Sequence, residues 1–214
     1  MDEVREATLP YEAERAAPPG RMSFEEFLAW CDEDTWAEWV DGEVVVLTPA
    51  NMRHQDIGLF LAALISEFAV SYKLGKVVVA PFLVRLPEPL SRGREPDILY
   101  ITNERISILK ETYCDGAPDL IVEVTSPESF ARDRGEKYVE YEAAGVREYW
   151  LIDPDRRQAE FYRLGQGGRY RSIPLDERGV YVSAVLPGLW LKVDWLWEGP
   201  LPSVITCLKE MGVV

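Results

Sequence analysis

Three side chains in this sequence could together work on a phosphate ester. Glu123 sits inside the apolar run Leu120-Ile121-Val122-Glu123-Val124. An ionised carboxylate there is costly unless it has a partner or a metal. Asp97 stands 26 residues upstream, after Pro96, and Lys137 stands 14 residues downstream. Two carboxylates close together raise one another's pKa unless a cation lies between them. Hard oxygen ligands with open water positions suit Mg²⁺ or Mn²⁺. A lysine beside such a site can orient a water and offset charge on a phosphodiester in its transition state.

The surrounding elements must bring these groups together. Proline at 118 and 127 brackets the Glu123 run, which predicts a buried strand. Pro96 opens a second strand through Ile98, Leu99 and Tyr100. Side chains alternate along a strand, so Ile121, Glu123 and Thr125 share a face. If the Asp97 strand pairs alongside, both carboxylates meet on that face. Ser23 followed by Glu26 is a capping box that starts a helix over 23–31. Asp41-Gly42 between apolar runs predicts a hairpin over 36–47. Apolar residues at 57, 61, 64, 65 and 68 predict a long helix over 52–73 that carries His54, the single histidine, in its first turn. A strand over 77–86, a loop over 87–93, a partly helical connection over 102–117, a helix over 129–144 capped by Gly145 and a strand over 146–154 follow. A hairpin (158–164 and 170–173), one or two strands over 181–193 and a closing helix over 203–211 complete the order. The expectation is an α/β fold of the α+β kind, a mixed sheet with helices packed on it. Residues 1–20 read as a mobile arm and residues 21–214 as a single domain.

The chain has 214 residues and a net charge of 23 − 37 = −14. That balance argues against a broad, nonspecific DNA-binding surface, which needs surplus Lys and Arg, but leaves room for a local basic patch. Three scattered cysteines without CxxC spacing argue against a disulfide framework or a zinc site. There is neither a signal peptide nor a run of 18 apolar residues, so a soluble cytoplasmic protein with no membrane association is expected.

Taken in order, Pro96-Asp97, Glu123-Val124-Thr125 and Lys137 resemble the PD-(D/E)XK nuclease superfamily. Further stretches resemble its Uma-type branch of bacterial restriction endonuclease-like proteins. These are Glu38-Trp39-Val40-Asp41-Gly42-Glu43, His54, Asp133 to Lys137 to Tyr141, and Gly145-Val146-Arg147-Glu148-Tyr149-Trp150-Leu151-Ile152-Asp153-Pro154. The likeness runs over about residues 22–197. It implies a restriction-endonuclease-like core, to which an N-terminal helix and hairpin and C-terminal β-hairpins are added. It also implies DNA as substrate, Mg²⁺ or Mn²⁺ held by Asp97, Glu123 and the Val124 backbone carbonyl, and Lys137 as the catalytic lysine. The general motif has its lysine two residues after the glutamate, where this chain has Thr125.

Each residue also has an ordinary structural use. Asp97 could end a turn, and Glu123 could pair with a core arginine. Asp133 and Lys137 at i,i+4 could be a solvated ion pair of about 0.3–0.5 kcal/mol. Tyr141 on the same helical face could pack, and His54 could cap its helix or line a cleft. Glu38, beside the Asp41-Gly42 turn, has a functional reading instead, as an extra metal or water ligand. Three rivals to the nuclease remain open: a binding member of the fold that does not cut, a hydrolase of small phosphodiesters, and an interaction protein using Trp190, Trp195 and Trp197. A homo-oligomer, dimer or larger, is compatible with all of them.

Overall fold

Helix α1 (Phe24–Trp30) begins at a reciprocal cap: the Ser23 hydroxyl accepts from the Glu26 amide and the Glu26 carboxylate accepts from the Ser23 amide. The Asp41-Gly42 turn joins β1 (Ala37–Val40) to β2 (Glu43–Val46), with φ of 52° and 86° at its two residues. That geometry suits Asp-Gly. The structure is a computed structural model and describes residues 20–32 and 35–213. The arm expected over residues 1–20 lies outside these, Gly20 excepted.

Helix α2 (Met52–Ser71) follows, then β3 (Gly75–Val79), β4 (Leu83–Leu86), β5 (Arg92–Arg94), β6 (Ile98–Thr102), β7 (Tyr113–Asp115) and β8 (Leu120–Val124). A three-residue helix α3 (Phe130–Arg132) runs through a wide π turn (Asp133–Lys137) into α4 (Tyr138–Ala144), which ends on Gly145 at φ 89°. The second half adds β9 (Glu148–Asp153), β10 (Gln158–Leu164), β11 (Tyr170–Ser172), β12 (Val180–Val182), β13 (Trp190–Lys192) and α5 (Val204–Glu210).

Among the described residues the strands form more than one sheet. A six-stranded sheet runs β11-β10-β9-β8-β6-β3, a five-stranded sheet runs β2-β1-β5-β4-β7, and β12 pairs with β13. The single strand expected over 77–86 is therefore two strands in two sheets, broken at Ala80-Pro81. Proline has no amide to donate to a ladder, so the chain leaves one sheet there and joins the other. Part of the loop expected over 87–93 is strand β5, buried between β1 and β4. Gly93 is required there, because a Cβ would meet the Phe24 ring at 2.8 Å.

The six-stranded sheet is buried on both faces. Ile57, Leu61, Leu64 and Phe68 of α2 cover Ile98, Tyr100, Val122 and Trp150. Leu99, Ile101, Ile121 and Tyr149 on the other face pack against Tyr141 of α4 and Val84 and Leu86 of the five-stranded sheet. Trp195 is buried and Trp190 packs against it with ring centroids 5.2 Å apart, so these tryptophans build the core. Among the described residues no helix is long and apolar enough to cross a membrane.

Candidate active site

Strand β6 pairs antiparallel with β8 in the register Ile98↔Val122. Carried one residue further, that register sets Asp97, just before β6, opposite Glu123. The Asp97 carboxylate accepts a 2.6 Å hydrogen bond from the Val124 amide, which ties the two strand ends together. Both carboxylates line a cleft of about 390 Å³, together with Glu95, His54, Arg132 and Lys137.

Lys137 is buried, with its Nζ 2.9 Å from Glu123, 2.9 Å from Glu38 and 3.4 Å from Asp133. The expected solvated Asp133–Lys137 pair is therefore a buried one. Surrounding carboxylates outweigh burial and hold the ammonium pKa well above its ordinary value. The π turn presents Asp133 and Lys137 to the sheet, and the Tyr149 hydroxyl pins it by donating to the Asp133 carbonyl at 3.0 Å. Such wide turns occur often at functional sites.

Tyr141 does more than pack: its hydroxyl donates to Glu123 Oε1 at 2.9 Å. His54 is not the cap of α2. Asn51 caps the helix by accepting from the His54 amide, which frees the imidazole to reach Asp97 at 3.3 Å. Burial pulls the His54 pKa down, but the Asp97 carboxylate and the Val124 carbonyl outweigh it and the net direction is up. Thr125 is buried and its amide donates to Ile152, so it contributes no group to the cleft wall.

Glu38 is placed differently from the expectation of an open metal or water ligand. It is fully buried behind Lys137, and Arg94 donates to it at 2.8 Å. Burial pushes its pKa up, yet Lys137, Arg94 and Arg132 hold it down at about 2. A depressed carboxylate stabilises the fold above its unfolded pKa of about 4.3, and that contribution is lost as pH falls through about 2. Urea unfolding of Glu38→Gln should accordingly show a flatter loss of stability below pH 4 than the wild type. Parallel curves would mean that Glu38 is not the titrating group.

In the sequence Glu95 stands in the Glu95-Pro96-Asp97-Ile98 motif with no role of its own, and Arg94, just past the loop expected over 87–93, has none either. Burial, with the charges of Glu38 and Asp97, raises Glu95 to about 7. Burial raises Glu123 to about 8 against the pull of Lys137, with Asp133 and Asp97 pushing the same way. The cleft wall carries the acidic side chains of Glu95, Asp97, Glu123 and Asp133 beside Lys137 and Arg132, and a divalent ion would favour the ionised form of the raised carboxyls. Among the described residues no group of three or more His, Cys, Asp or Glu forms a ready-made metal cage. The donors that the resemblance implies are Asp97, Glu123 and the Val124 backbone carbonyl. That small set suits Mg²⁺, which keeps several waters and uses one or two carboxylates.

A mixed sheet carrying a Pro-Asp strand end, a buried strand glutamate and a lysine in the helical segment that follows is the arrangement the resemblance to restriction-endonuclease-like proteins leads one to expect. Residues 24–194 match the Uma2 family, described as "Putative restriction endonuclease", and the chain belongs to that family. The fold is also similar to the crystal structure of "a putative nuclease belonging to DUF820 from Anabaena variabilis". The two share 20% sequence identity at a TM-score of 0.69, over 82% of this chain and 97% of that one. No curated protein matches.

The contact of His54 with Asp97 leads to a further expectation. Removing the partner of a ligand commonly costs about 10–100-fold in metal affinity. Calorimetric titration of His54→Ala with Mn²⁺ should show a weakening of that order. Unchanged affinity would mean that Asp97 needs no help from the imidazole.

Proposed function

We propose that this chain is a divalent-cation-dependent endonuclease that hydrolyses phosphodiester bonds in DNA. The observation that supports it most is the position of Asp97 opposite Glu123 across paired strands, with Lys137 at 2.9 Å from Glu123 in one cleft. Membership of a restriction-endonuclease family supports the same reading.

Asp97, Glu123 and the Val124 carbonyl would hold Mg²⁺ or Mn²⁺. A bound ion of this kind supplies a water of lowered pKa and positive charge for the phosphate. Lys137 orients the attacking water beside Glu123 and offsets negative charge that grows on the phosphate oxygens. Tyr141 fixes the rotamer of Glu123, and His54 with the Val124 amide fixes that of Asp97. Water adds to phosphorus, the bond to one ester oxygen breaks, and that oxygen leaves with a proton as a free hydroxyl.

Calorimetric titration of Mn²⁺ into wild type and Glu123→Ala, with the same samples incubated on single- and double-stranded DNA, tests this reading. The expected result is metal binding and cleavage by the wild type only. Saturating Mn²⁺ should also stabilise the wild type by about 2.7 kcal/mol at 100 times Kd, and Glu123→Ala much less. Mn²⁺ binding without cleavage of any DNA would instead favour a binding protein that does not cut. The enclosure of Lys137 by three carboxylates and the presence of Thr125 at the motif position support that second reading.

A further inference from the structure

An acidic protein that cuts DNA needs a cation free to meet the phosphate. Most of the positive charge near the cleft is already used. Arg94 donates four hydrogen bonds to Glu38, Glu136 and Glu140. Lys137 sits among three carboxylates. Arg132 differs: its buried Nε has no hydrogen-bond partner, and no hydrogen bond from its guanidinium is present among the described residues. The carboxylate it approaches, Glu38 Oε2, is 3.8 Å away and already accepts from Arg94 at 2.8 Å. The Arg132 side chain nevertheless keeps 28% of its surface exposed and lines the cleft, so its guanidinium can meet an acceptor that enters from outside.

Two further donors stand beside it. Ser126, Ser129 and Arg132 are spaced three residues apart and all three line the cleft that holds Asp97 and Glu123. Ser129 Oγ accepts from the Ser126 amide at 3.0 Å, and Ser126 Oγ accepts from the Ser129 amide at 3.2 Å. Each hydroxyl oxygen is engaged as an acceptor, and neither donates to a protein acceptor among the described residues. One wall of the cleft therefore offers a guanidinium and two hydroxyl protons, while the floor offers carboxylates. We propose that Arg132, with Ser126 and Ser129, binds the non-bridging oxygens of a DNA backbone phosphate and so draws the strand over Asp97 and Glu123. This rests on the endonuclease reading and names the part of the site that holds the substrate. Planar, forked donors suit phosphate, and charge-assisted bonds of this kind are the strong ones.

The test uses the full chain, a labelled duplex oligonucleotide and Ca²⁺ in place of Mg²⁺ for binding. Cleavage is followed separately in Mg²⁺ and Mn²⁺. Arg132→Gln should weaken DNA binding about tenfold, the loss of one charged hydrogen-bonding group. It should also reduce the slope of log affinity against log salt by about 0.9, the loss of one phosphate contact. Mn²⁺ affinity should stay at the wild-type value. Arg132→Lys should recover part of the affinity and all of the salt slope, since the charge is kept. A wild type that binds and cuts, with Arg132→Gln unchanged in affinity and slope, would overturn the phosphate site and leave the endonuclease reading intact. Loss of Mn²⁺ affinity or of the fold in both Arg132 variants would also overturn it, because the arginine would then be a support for Glu38. Binding that depends on Arg132 without cleavage by the wild type would uphold the phosphate site and sink hydrolysis. A wild type that neither binds nor cuts would remove both.

Discussion

Lys137→Ala should reduce DNA cleavage more than about 100-fold, the scale seen when one preorganised transition-state donor is removed. The same change should lower the unfolding free energy by about 3–5 kcal/mol, because it leaves buried carboxylates without their cation. Glu38, Glu123 and Asp133 all lie within 3.4 Å of the ammonium, and each is almost fully buried. The two effects can be separated. Glu123→Gln keeps the shape of the side chain and leaves Lys137 paired with Glu38 and Asp133, so it should abolish cleavage at a smaller cost in stability. Single-turnover cleavage well below the unfolding temperature, alongside urea unfolding of both variants, makes the comparison. Cleavage by Lys137→Ala within tenfold of wild type would show that the lysine serves the fold and not the reaction.

Arg94→Met should be the most damaging substitution outside the cleft. Arg94 is fully buried, and its guanidinium joins β5 to Glu38 of β1 and Glu140 of α4. Truncation of a buried, multiply bonded cation costs about 3–5 kcal/mol, which for a chain of this length lowers the melting temperature by roughly 10 °C. The cost comes from the stranded carboxylates more than from the lost attraction. Arg94→Met combined with Glu140→Leu should therefore recover part of the loss, and a double-mutant cycle should show coupling above about 1 kcal/mol. Additive losses in thermal unfolding would mean that Glu140 is adequately solvated without the arginine. Its nearly buried side chain, shared between Arg92 and Arg94, argues against that.

The strand elements that carry Asp97 and Glu123 were legible in the sequence because proline bounds them and apolar residues fill them. The capping box, the Asp-Gly hairpin and the period of α2 were equally plain, since each is set by local geometry. What escaped is set by distant contacts. Nothing local says that Arg92-Gly93-Arg94 is a central strand; its burial depends on β1 and β4 closing over it and on carboxylates from two other elements. Glu38 reads as an extra metal or water ligand beside a turn until Lys137 and Arg94 are brought to it from 99 and 56 positions away in the chain. The break at Pro81 was visible as a residue, yet the choice between a bulge and a change of sheet depends on where the following strand finds its partner. Tyr141 and Asp133 were found by helical spacing, but spacing alone could not say whether that face met water or a glutamate.

Lys137 bridges a carboxylate from each of the two large sheets, Glu38 on β1 and Glu123 on β8. On the proposed reading, reactivity and architecture are held by the same atom. A relative with this joint that did not cut DNA would still be destabilised by discarding the lysine, so drift at that position is opposed even where catalysis is not needed. A lysine at this place in a related sequence then reports an intact joint between sheets, and the groups free to be lost first are those that meet only the substrate.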